Sequence, residues 1–116
     1  MSSQKKTIRR TFRISVFERD CYQCVMCGLH GQDRQADHDE GLPTLDAHHI
    51  ENRNKFQNGG YNILNGISLC DDCHIKAEAY HTTGVAVENF APEDLYTLIG
   101  SSFEKAIELD SNMSSD

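Results

Sequence analysis

The stretch Asn65-Gly66-Ile67-Ser68-Leu69-Cys70-Asp71-Asp72-Cys73-His74 reads as a short strand that runs directly into a helix through a pair of cysteines. Gly66 to Leu69 supplies the strand. Asp71 and Asp72 stand where a helix N-terminus favours negative charge, and Cys73 to Tyr80 contains neither Gly nor Pro, so a helix of about two turns follows. Upstream, Leu45-Asp46-Ala47-His48-His49-Ile50 alternates loosely as a partner strand. Glu51 to Asn62, with Asn58, Gly59 and Gly60, reads as a long irregular connection between the two strands. The order is strand, strand, helix.

Working outward, the cysteines set the frame. Cys24-Val25-Met26-Cys27 and Cys70-Asp71-Asp72-Cys73 are two C-x2-C pairs, the spacing at which two thiolates turn inward to fill two corners of a zinc tetrahedron. Gly28 follows Cys27 directly, where the knuckle needs a backbone that tolerates positive φ. Cys21 shares the spacing with Cys24, but Val25 follows Cys24, which leaves Cys21 as the spare thiol. Five cysteines with no leading signal segment argue for reduced thiols and a cytoplasmic location rather than a secreted disulfide scaffold. Zinc would also supply folding free energy that a chain of 116 residues, 38% hydrophobic and without Trp, gains too little of from its core.

Thr11 to Asp20, with Phe12, Ile14, Val16 and Phe17, suggests a helix N-capped by Thr11 that enters the first knuckle. Residues 28–44 read as a loop. Pro92, Glu93 and Asp94 open a further helix through Ile99, and Ser101 with Glu104 forms a capping-box pattern for a last helix over 102–109. These helices are expected to pack back on the hairpin. The fold class is therefore α+β: residues 1–10 a basic flexible arm, 11–110 a single domain, 111–116 a disordered tail. No apolar run approaches the ~18–20 residues needed to span a bilayer, so no membrane partner is expected.

A net charge of −7 would ordinarily count against a nucleic-acid partner, but the average hides a division. Residues 1–20 carry six basic against two acidic residues, whereas residues 71–116 sum to −8. A basic edge on an acidic body suits contact with a polyanion along one side.

The segment between the knuckles carries His48 and His49 on the strand, and His74 sits directly after the last cysteine. Successive strand residues face opposite sides, so both strand imidazoles reach one site only if the strand end twists or bulges. One strand imidazole together with His74 would hold a second metal and leave positions open for water and a phosphate oxygen. The other, with a pKa near neutrality, suits a general base.

Cys24-x2-Cys27-Gly28, Leu45 to Ile50, Asn65 to Cys70 and Cys73-His74 resemble the HNH nuclease motif in its four-cysteine zinc variety, over about residues 16–81. The resemblance implies a ββα-metal core, a two-strand hairpin on a helix with the catalytic metal between them. It makes His48 the metal ligand, His49 the general base, Asn65 the brace of the hairpin loop and His74 the ligand on the helix. His81, seven residues past His74, falls two turns on, and its alternatives are a phosphate contact or a solvent-exposed residue. Asp46 is either a partner of the metal-binding residues or polar filler.

The implied reaction is metal-dependent hydrolysis of DNA, leaving 5′-phosphate and 3′-hydroxyl ends. A structural Zn²⁺ sits on Cys24, Cys27, Cys70 and Cys73, and one catalytic cation, Mg²⁺, Mn²⁺, Ni²⁺ or Zn²⁺, on His48 and His74. Lys5, Lys6, Arg9, Arg10, Arg13, Arg53 and Lys55 are the candidate phosphate contacts. No base-reading array is visible, so weak sequence preference is expected unless an accessory protein supplies it, and a monomer or homodimer is expected. The main competing function is a non-catalytic zinc module that binds nucleic acid or protein, and a different enzyme alternative is a nuclease of the same family acting on RNA.

Overall fold

In a computed structural model, which describes residues 2–36 and 39–113 with side chains from Lys6 onward, a three-stranded sheet is flanked by two helices. The elements are α1 (Ser2–Arg19), β1 (Gln32–Asp33), β2 (Thr44–His49), β3 (Gly66–Cys70), α2 (Asp71–Thr83), α3 (Pro92–Leu98) and α4 (Phe103–Ser111). The α+β class and the succession strand, strand, helix follow the sequence expectation. β2 and β3 pair antiparallel in unbroken register, Leu45 opposite Cys70 and His49 opposite Gly66, and β1 adds two residues parallel to β2. Every residue of β3 is buried, because α1 covers one face of the hairpin and α2 the other.

Gly66 decides how closely α1 approaches. A Cβ at that position would lie 2.6 Å from Cγ2 of Val16 and 2.7 Å from Cε1 of Phe12, so only hydrogen fits beneath the helix. At the C-terminal end of α1, Arg19 donates from Nη2 to the Gly66 carbonyl at 2.7 Å and from Nη1 to the Ile63 carbonyl. Asp20 accepts from the Ser68 amide at 3.0 Å. These polar contacts fix the helix along β3, and Phe17, Leu45, Ile50, Ile67, Leu69 and Leu95 fill the core.

α3 and α4 pack back on the β2–β3 connection. Phe103 meets Phe56 edge-on at 5.6 Å, and Asp110 accepts from the amides of Asn58 and Gly60, both at 2.8 Å. The connection itself is irregular apart from single 3-10 turns at Arg53–Lys55 and Ile63–Asn65. Among the described residues, no helix is long and apolar enough to cross a membrane.

Three local expectations need correction. α1 begins at Ser2, not at Thr11, so residues 2–10 are the helix's opening turns rather than a separate arm. Apolar periodicity begins late, but Gln4, Lys5, Lys6, Arg9 and Arg10 are good helix formers and nothing in the segment breaks the helix. The loop over 28–44 contains β1, whose pairing is non-local. The cap of α4 is Ser102, which accepts from the Lys105 amide at 3.1 Å, while Ser101 donates to the Leu64 carbonyl at 2.8 Å. Of the expected tail, Ser111 ends α4 and residues 114–116 lie outside the described residues, as does the Lys5 side chain.

Candidate metal centre and active site

Four sulfurs gather at the base of the hairpin. The Sγ atoms of Cys24, Cys27, Cys70 and Cys73 lie within 4.8 Å of one another, and those of Cys27 and Cys70 are 3.7 Å apart. Two thiolates at ~2.3 Å from a tetrahedral zinc are separated by about 3.8 Å, so the residues present fit that ion. The first knuckle closes through Gly28, whose φ is +81° and whose amide donates to the Cys24 carbonyl at 2.7 Å. The Val25 amide donates to the Ser68 carbonyl at 3.0 Å, which stitches the knuckle to β3. Cys70 is the N-cap of α2 and Cys73 lies in its first turn, so the second knuckle is the strand-to-helix junction itself. Burial and the neighbouring sulfurs push the Cys73 thiol up, a cost that a bound cation reverses. Cys21 is exposed and outside the group.

A second cluster lies between β2 and α2. His48, His74 and Glu78 each offer a donor atom within 4.8 Å of the others. Oε1 of Glu78 is 3.5 Å from Nδ1 of His48 and 3.5 Å from Nε2 of His74. His48 is 2% exposed, and neither of its ring nitrogens has a hydrogen-bond partner. Orphaned buried nitrogens beside a carboxylate fit a metal-ligand set, since metal binding would satisfy them. Burial holds the His48 imidazole below its usual range, and the His48 imidazole beside Glu78 keeps its carboxyl down at about 2. Neutral imidazole and ionised carboxylate are the protonation states a metal requires.

Asp46 precedes His48 by two residues and shares its face of β2. Its carboxylate lies 3.3 Å from Nδ1 of His74, which raises the His74 pKa and turns Nε2 toward Glu78. Arg34 in turn donates to Asp46 at 3.1 Å and to Asp71. A carboxylate on the far nitrogen of a ligand imidazole fixes its tautomer and raises its basicity. Of the two alternatives for Asp46, the geometry is that of a partner.

The segment that holds both clusters, residues 24–79, matches the family model described as HNH endonuclease. The chain carries an HNH endonuclease domain. Among curated proteins and solved structures, none matches the chain.

Within the HNH domain the three sequence-selected histidines separate. β2 runs through His49 without a bulge, so strict alternation holds. His48 faces α2, and the His49 ring packs on the other side of the sheet, 4.6 Å from Phe12 and 4.8 Å from Tyr61. The convergence of three imidazoles expected from sequence is replaced by two imidazoles and the carboxylate of Glu78. Burial first, then the charges of His48 and Arg53, lower His49 to about 4, below the near-neutral value expected of it as a base, and its Nε2 is sheltered without a partner.

Asn65 is fully buried and ties the β2–β3 connection together. Its Oδ1 accepts from the Glu51 amide at 3.0 Å and from the Tyr96 hydroxyl at 2.7 Å, and its Nδ2 reaches the carbonyls of Glu51 and Gly60, each at 3.2 Å. His81 is half-buried rather than exposed: its ring centroid is 5.3 Å from that of His48, and Nε2 is 3.1 Å from the His49 carbonyl. It steadies the end of β2 from α2.

The basic candidates also divide. Arg9 and Arg53 meet at the Tyr61 hydroxyl, while Lys6 and Arg10 are exposed on α1. Arg13 is held by Asp33 at 2.8 Å, and Lys55 lies 3.3 Å from Glu51. Sequence reasoning missed Glu78 and Tyr61. Glu78 had a signal, since it stands four residues after His74 and so shares its helix face. Tyr61 had none.

Proposed function

We propose that the protein is a metal-dependent endonuclease that hydrolyses DNA phosphodiester bonds, nicking one strand or cutting both. The observation that carries this reading is the cluster of His48, His74 and Glu78 within an HNH domain. Those three residues would hold one divalent cation, and two imidazoles with one carboxylate suit Mn²⁺, Ni²⁺ or Zn²⁺ better than the oxygen-seeking Mg²⁺. When bound, the cation polarises the phosphate and stabilises charge on the departing 3′ oxygen.

The chain supplies the rest. His49, kept neutral by burial and with Nε2 free of partners, takes the proton of the attacking water. Asn65 is a positioning residue, which holds the connection that follows His49. Arg9 and Arg53, joined by Lys6 and Arg10, hold phosphates on the α1 side; Arg13 and Lys55 are partly spent on their carboxylates, and Lys5 extends the same helix. A structural zinc on the four cysteines fastens α2 to the hairpin. The partner is DNA, bound by a monomer or homodimer, with an accessory protein for sequence choice.

One observation favours a second reading, a non-catalytic zinc-stabilised module that binds nucleic acid or protein: the His49 ring lies on the sheet face opposite the cluster. Purified protein incubated with supercoiled plasmid and each cation in turn decides between them. The nuclease reading expects cleavage by the wild type that is lost in His49→Ala and Glu78→Ala while zinc content persists. Wild-type protein that leaves plasmid intact with all four cations at low salt establishes the module.

A further inference from the structure

On the α1 side of the sheet, beside His49, a cavity of about 550 Å³ opens between the first turns of α1 and the connection that follows β2. That volume falls within the roughly 300–1,000 Å³ of sites that hold small organic groups. Tyr61 lines it and meets the His49 imidazole edge-on. Nε of Arg9 and Nη1 of Arg53 both donate to the Tyr61 hydroxyl oxygen, at 3.3 and 3.0 Å, so the phenol's own proton is left for a further acceptor.

The rest of the lining is selective. Although the chain carries a net charge of −7, none of the described lining residues is acidic. Carboxamides take that place, with Asn54 and Gln57 exposed and making no side-chain hydrogen bond among the described residues. Ile8 and Met113 supply an apolar wall. Guanidiniums bind phosphate, carboxamides present the donor and acceptor pair that complements a base edge, and apolar and aromatic surfaces accept a base face. All three lie in one cavity next to the proposed base.

We propose that this cavity holds one unpaired nucleotide of the DNA substrate, its phosphate on Arg9 and Arg53 and its base edge on Asn54 and Gln57. The proposal rests on the reading that the domain acts on DNA. It adds a substrate class: strands with an unpaired or displaced nucleotide, because a base still within a duplex cannot enter a pocket without first leaving its stack.

Fluorescence anisotropy on the full chain carrying one zinc per molecule, on the four cysteines, and without added divalent cation so that nothing is cut, tests binding apart from catalysis. The probes are a short single-stranded DNA, the same strand with abasic sites, its duplex, and an RNA of the same sequence. The intact single strand should bind more tightly than the other three. Asn54→Ala combined with Gln57→Ala should lower its affinity about tenfold and leave the duplex unchanged, since a good carboxamide–base pair contributes about that factor. Arg10→Ala, outside the cavity, should weaken every probe alike, and circular dichroism checks that each variant folds. Equal affinity for intact and abasic strands, tighter binding of RNA, no effect of the double variant, or no binding at all overturns the proposal. Base-dependent binding without cleavage by any cation sinks the nuclease reading alone; plasmid cleavage with no discrimination between the intact and abasic strands sinks the cavity alone.

Discussion

The Asp46 carboxylate lies 3.3 Å from Nδ1 of His74, so a residue of β2 orients a candidate metal ligand of α2 across the site. Removal of its charge should be felt as lost metal affinity. Asp46→Asn is expected to weaken binding of the exchangeable cation about 10–100-fold, the usual cost of losing a carboxylate behind a ligand imidazole. Calorimetric titration with Mn²⁺ reads this directly, and the zinc on the four cysteines should stay at one per chain. Unchanged Mn²⁺ affinity would show that Asp46 serves only Arg34.

Asn65 and Tyr96 form a buried pair that connects α3 to the loop after His49. Tyr96→Phe deletes one donor and leaves the Asn65 oxygen bonded to the Glu51 amide, so it should cost about 1 kcal/mol. Asn65→Ala strands the Glu51 amide, the carbonyls of Glu51 and Gly60, and the Tyr96 hydroxyl together. Its cost should reach about 3 kcal/mol or more, because buried polar groups left unpaired forfeit their solvation. Chemical denaturation of both variants measures the ratio, and equal losses would refute this partition.

What could be read beforehand was whatever local chemistry dictates. The two knuckles, the hairpin strands and the onset of α2 follow from C-x2-C spacing, from Asp71 and Asp72 at a helix start, and from the Gly-rich break at 58–60. β1 was invisible because a two-residue strand exists only through its pairing with Thr44 and Leu45. The direction of His49 was open, since alternation argued one way and the frequent distortion of active-site strand ends the other; alternation won because β2 keeps its register to its last residue. Glu78 does have a local signal, since a carboxylate four residues after His74 shares its helix face. The cavity joins α1 to a loop more than forty residues away, and nothing local announces such a meeting.

Gly66 is required for space rather than for conformation. Its φ of −127° is ordinary for any residue, yet an added Cβ collides with Val16 and Phe12. Gly66→Ala should therefore destabilise by about 1–3 kcal/mol, as overpacking does, through a shift of α1 away from β3. Urea unfolding should show a lower midpoint with an unchanged slope. Because Phe12 also stacks on His49, the same variant should slow plasmid cleavage beyond its loss of folded protein.

Two cysteine substitutions separate the zinc site from the spare thiol. Cys73 lies in the first turn of α2, one residue before His74 and on the helix that also carries Glu78, so its loss releases both the sulfur cluster and the helix that completes the second site. Cys73→Ser should abolish stoichiometric zinc and unfold the domain, since ligand-set energy is folding energy in a chain with so small a core. Cys21→Ser should retain one zinc per chain and a native melting curve, because that thiol is exposed and outside the cluster. Elemental analysis with thermal denaturation distinguishes the two. A stable, fully active Cys73→Ser protein would show that α2 is held without the metal and would detach the proposed catalytic geometry from the zinc clamp.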